Sequence, residues 1–129
     1  FDRLPPTLCA LSQADAHVGR AAQMGVDWWA LEGGVDKVRE KVEGLWSTGD
    51  PDAAMADMGD LLFGIVNWAR WLGIDPQAAL RQATRRFREH LLFVDRQARD
   101  QGAGIESLGT EAVQSLWRQS RADGLAERE

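Results

Sequence analysis

Apolar side chains recur along this chain at three- and four-residue intervals. No segment alternates apolar and polar residues between hairpin turns, so the pattern predicts helices and no strands. Pro5 and Pro6 close an extended lead-in, Thr7 is placed to cap, and helical spacing then runs from Leu8 to about Met24, where Gly25 stops it. "GVDWWALEGG" reads as a turn-rich connector whose adjacent tryptophans lie over a neighbouring helix. Val35, Val38, Val42 and Leu45 mark the apolar stripe of a second helix. "STGDPDA" breaks the chain, with Asp50 as cap and Pro51 at the first helical position. The next helix is the most apolar, and Met55, Met58, Leu61, Leu62, Ile65, Val66, Ala69 and Leu72 predict a broad buried face. Leu62, Trp68 and Trp71 point away from its centre, toward another helix or a second subunit. Gly73 ends it, Asp75 and Pro76 start a fourth helix reaching about Asp100, and "QGAGIESLGT" leads to a short terminal helix from Thr110 through Trp117. The expected fold is all-α: an antiparallel helical bundle of four main helices plus a short C-terminal one.

At 129 residues the chain makes one domain, 1–129, able to bury a core. It opens on Phe1, not Met, and is read as the C-terminal part of a longer protein with a possible upstream domain. Fifteen basic against twenty acidic residues leave a mildly negative surface, which argues against broad nucleic-acid contact. No apolar run reaches membrane-spanning length. Cys9 is the lone cysteine, so no intrachain disulfide forms, and the expected compartment is reducing and cytoplasmic.

Two helices can grip Mg²⁺ when each carries carboxylates three residues apart, because such positions share a helical face. Glu40 and Glu43 meet that condition on the second helix, Asp57 and Asp60 on the third. The spacing alone favours a solvated acidic face, since carboxylates three apart are common on exposed helices. His17 and His90 lack partners at metal-ligand spacing and read as structural or surface residues.

The order of the pieces adds information. "GVDWWALEGGVDKV", an acidic helix, and then "GDPDAAMADMGDLLFGIVNWARWLGIDPQAALRQATRRFREHLLFVD" resemble the MazG-type nucleotide pyrophosphohydrolases, from about Leu4 to Trp117. The resemblance implies a helical bundle, a tight homodimer, and hydrolysis of nucleoside triphosphates to monophosphate and pyrophosphate. It also implies Mg²⁺ held by a Glu-Glu-x-x-Glu and a Glu-x-x-Asp motif. Matching Lys37 and Val38 to the family's Lys-Val puts Glu40 on the first glutamate, Lys41 on the second and Gly44 on the third. Asp57 and Asp60 take the two positions of the second motif, so the metal ligands expected to survive are Asp57 and Asp60.

Glu40 and Glu43 lie about 100° around the helix from positions 41 and 44, hence toward solvent. Lys41 is expected to pair with Asp57 or Asp60 in place of the metal, and Gly44 to contribute no ligand. On the phosphate side Asn67, Arg81 and Arg86 match family positions, and Arg85 joins Arg81 and Arg88 on a basic face. Thr84, Glu89, His90, Ala16 and Val18 depart from the family pattern.

The expected function is therefore a MazG-like domain with impaired Mg²⁺-dependent activity, acting as a dimerising or nucleotide-related regulatory module. One alternative is an active Mg²⁺-dependent pyrophosphohydrolase, with Glu40, Asp57 and Asp60 as catalytic carboxylates and the metal activating the attacking water. Another is a purely structural dimerisation scaffold.

Overall fold

Two Asp-Pro pairs start the two longest helices. The Asp50 carboxylate accepts from the Asp52 N–H at 3.0 Å and the Asp75 carboxylate from the Gln77 N–H at 3.0 Å. The prolines that follow give up no hydrogen bond, because a first-turn N–H has no helical acceptor. The computed structural model describes residues 9–27, 34–102 and 104–128. These hold five α-helices: α1 (Ala10–Gln23), α2 (Gly34–Ser47), α3 (Pro51–Trp71), α4 (Pro76–Asp100) and α5 (Thr110–Arg128). One 3-10 turn lies at Ile105–Ser107, and no strand occurs among the described residues. The all-α helical bundle expected from the sequence is the observed class. Thr7 and the paired Trp28 and Trp29 lie outside the described residues. No described helix is long and apolar enough to cross a membrane.

The chain divides into two compact units, residues 1–79 and 80–129, and the boundary falls inside α4. In the first unit α1 and α2 both pack on α3. Gly25 and Gly73 follow α1 and α3 with φ of +78° and +70°, the left-handed conformation that ends a helix without a Cβ clash. Val18 and Val66 are buried between these elements' inner faces, and the Gln77 amide reaches Ser12 on α1. In the second unit Phe87 meets Trp117 with ring centroids 5.3 Å apart, and His90 Nδ1 lies 2.6 Å from the hydroxyl of buried Ser120.

Two expectations are corrected. The broad apolar face of α3 is not buried in this chain: Met55 (77% exposed), Met58, Leu62, Ile65 and Leu72 are all open, and only Gly64, Val66 and Asn67 are enclosed. A neighbouring helix covers a stripe roughly 100° wide, and the apolar surface of α3 wraps further than two such neighbours reach. Trp68 and Trp71, expected to point away from the centre of that face, are exposed as well. The terminal helix is also not short. It continues to Arg128, because the residues after Trp117 are mostly good helix formers, with Gly124 the one costly interior residue before the end.

Removing the α3 cap tests this account of the helix start. Asp50→Ala leaves the Asp52 N–H without its acceptor and is expected to cost about 1 kcal/mol in urea unfolding.

Candidate functional site

Helical phase sets what faces what between α2 and α3. Lys41 and Gly44 lie three residues apart on α2, as Asp57 and Asp60 do on α3, so each pair shares one face. The two faces meet. The Lys41 ammonium stands 2.9 Å from an Asp60 carboxylate oxygen and 3.5 Å from one of Asp57. A Cβ placed on Gly44 would lie 3.6 Å from the Asp57 carboxylate, an ordinary contact with nothing else close by. Position 44 therefore looks straight at the acids but brings no side chain to them.

The Lys41 side chain is only 14% exposed, whereas Asp60 remains half open. Its hydrogen bond to Asp60 outweighs the opposing effect of burial, and with the charges of Asp60 and Asp57 it raises the ammonium above the ordinary lysine value. A contact at about 4 Å carries roughly 4 kcal/mol of raw Coulomb attraction at an effective dielectric near 20. Desolvation and side-chain ordering cancel most of that, leaving on the order of 1 kcal/mol for a pair with one partner this open. Two carboxylates against one ammonium leave a formal charge of about −1 at the cluster.

Glu40 is not part of it. It is exposed and forms an ion pair with Lys37 at 3.5 Å, one turn back on its own helix. Glu43 is exposed as well. Each precedes an inward residue, Lys41 or Gly44, by one position, a step of about 100° around α2. No group of three or more His, Cys, Asp or Glu poised for a metal occurs among the described residues.

Asn67 lies two turns beyond Asp60 on the same face of α3, roughly 10 Å along its axis. It is buried (4% exposed), and its amide donates to the Asp27 carboxylate at 3.4 Å. Around this pair opens a cleft of about 350 Å³, lined by Ala22, Val26, Asp27, Asn67, Arg70 and Trp71 together with Gly25. Arg70 and Trp71 follow Asn67 by three and four residues and so flank it on α3. The sequence reading found Asn67 but not Arg70, Asp27 or Trp71. The usable signal was the same i, i+3, i+4 rule, applied onward from Asn67.

The basic positions lie in the second unit, on α4. Arg81, Arg85 and Arg88 are exposed and Arg86 is half-buried, and none forms an ion pair among the described residues. His90, read as structural, sits against the Trp117 ring and beside Ser120.

Curated relatives match most of this chain. A nucleoside triphosphate pyrophosphohydrolase/pyrophosphatase MazG of Thermotoga maritima is 36% identical over 116 residues, covering 90% of this chain and 46% of that protein. A nucleoside triphosphate pyrophosphohydrolase of Escherichia coli K12 is 33% identical over 124 residues, covering 92% of this chain and 47% of its own length. This is a MazG-type chain. It spans about half the length of the curated relatives it matches. The match to an uncharacterized Bacillus subtilis protein, YabN, is shorter, at 30% identity over 66 residues and 51% of the MazG-type chain. No family model matches the sequence.

The ion pair makes a signed prediction. Lys41→Met leaves Asp57 and Asp60 facing each other without a counter-charge and is expected to cost about 1–2 kcal/mol in urea unfolding near neutral pH. A raised folded value means the wild-type advantage is complete below the ordinary lysine value of 10.5 and fades as pH climbs past it. The stabilities of wild type and variant should therefore converge in strong alkali.

Proposed function

We propose that this MazG-type chain is a nucleotide-related helical module descended from nucleoside triphosphate pyrophosphohydrolases, with impaired magnesium-dependent hydrolysis. The observation that carries this reading is the Lys41 ammonium seated between Asp57 and Asp60, at 3.5 and 2.9 Å. Magnesium needs several hard oxygens in near-octahedral array, with protein carboxylates among them. The residues present do not suit it: two aspartates remain, the Lys41 ammonium already stands against both, and Gly44 supplies no oxygen. An active enzyme would need Glu40 and Glu43 turned inward, whereas Glu40 is engaged with Lys37 on the outer side of α2. The arginines of α4, Arg81, Arg85 and Arg86, are the candidates for attracting a triphosphate.

Incubation with each nucleoside triphosphate and Mg²⁺, followed by pyrophosphate measurement, is expected to give little or no turnover. Robust turnover abolished by Asp60→Ala would overturn the reading. The double change Lys41→Glu with Gly44→Glu is expected to restore Mg²⁺ binding in calorimetry, since position 44 has open space beside Asp57. If the double variant binds no metal, the loss at 41 and 44 is not the whole lesion.

The module is further proposed to work as a homodimer in the cytoplasm. The support is the apolar side of α3: Leu62, Ile65, Trp68 and Trp71 are each about half exposed or more, with Trp46 of α2 89% exposed. A run of exposed apolar side chains of this kind is the mark of a protein interface. Sedimentation is expected to give a dimer and Ile65→Glu a monomer; a monomeric wild type at micromolar concentration removes the proposal.

A further inference from the structure

Two helices carry one pattern with opposite charge. Along α2 the order runs Val35, Asp36, Glu40, Val42, Glu43, Trp46; along α4 it runs Leu80, Arg81, Arg85, Phe87, Arg88, Leu91, at identical spacing. Counted at 3.6 residues per turn, each set makes an apolar stripe with its charged ridge on the same side, about 80–140° further round the helix. Every one of these side chains is exposed. The three arginines form no ion pair among the described residues, and neither do Asp36 and Glu43. Arg39 is the one cation on that side of α2, and Glu89 lies opposite the stripe of α4.

We propose that α4 of one copy docks antiparallel on α2 of a second copy, stripe on stripe and arginine ridge on acidic ridge. The direction follows from handedness. Two helices laid face to face bring ridges of the same hand together only when they run in opposite directions; run in parallel, the ridges fall on opposite sides of the seam. Direction then sets register: Arg81 stands by Glu43, Arg85 by Glu40 and Arg88 by Asp36, while Leu80 meets Trp46 and Leu91 meets Val35. The seam is about 17 Å long and is made twice about a two-fold axis, because each copy offers both helices. Charge selects this occupant. Two α2 faces would repel each other, as would two α4 faces, and any polyanion would take the arginines but leave the acids and stripe of α2 uncovered. The inference rests on the homodimer reading above and deepens it. It claims Arg81 and Arg85 for a protein contact and leaves Arg86, on the other flank of α4, for phosphate.

The test is sedimentation velocity of the full chain with Glu43→Arg and Arg81→Glu. Each reversal alone sets like charges against each other at both seams and is expected to weaken dimerisation at least about ten-fold. Mixing the two variants is expected to restore the dimer as a heterodimer, since every reversed residue then meets its opposite. Both reversals in one chain are expected to restore it as well. Rescue by the double variant without rescue on mixing means pairing inside one chain, and overturns the second copy as occupant. A wild-type dimer indifferent to both reversals overturns the inference and leaves the homodimer reading standing. A monomeric wild type removes that reading and this contact together.

Discussion

The contact between one ammonium on α2 and two carboxylates on α3 governs how the centre of this chain is read. The Lys41 side chain is mostly covered, and its charge is matched by the two acids it faces. Asp57 and Asp60 share one helical face and would otherwise repel each other across it. The three groups therefore hold α2 and α3 in one register, and each makes the position of the others tolerable. A dication would serve the same electrostatic purpose, but it demands more oxygens and a defined geometry. A lysine demands only that two acids stay within a few ångströms.

Gly44 belongs to the same account. It faces Asp57 with no side chain, and in an α-helix interior that choice costs about 1 kcal/mol relative to alanine. Among the described residues only the Asp57 oxygen comes near a Cβ placed there, so close helix approach does not explain it. A longer residue fits sterically. Its consequence is chemical, because the position contributes no oxygen to the cluster.

The other organising feature is how little apolar surface the chain buries for itself. Among the described residues the enclosed aliphatic core is Val18, Val66, Val94 and Ala98, while large apolar side chains along α3 and α4 stay open. Short-range devices such as the Asp-Pro starts and the left-handed glycine stops define each helix locally and need no partner. Burying the faces so created is a separate matter, and the homodimer proposed above is one way to do it.

Much of this was legible in the residue order. Capping residues and breakers placed α3 and α4 almost to the residue, because those signals act through neighbouring backbone groups. The family motif assigned Lys41 and Gly44 to the ligand positions, and helical phase put Glu40 nearly opposite the Val35, Val38, Val42 and Leu45 stripe, since angular position follows from counting at 3.6 residues per turn. Counting along one helix does not reveal how many neighbours it has, so the apolar face of α3 was expected to be buried and is not. The same limit hid the Asn67 cleft. Asp27, Arg70 and Gly19 come together only when α1 lies against the end of α3, and that approach depends on the shapes of both surfaces at once. Sequence determined helix ends and faces, which are local; tertiary packing decided burial and the company each side chain keeps, which depend on contacts between residues distant in the chain.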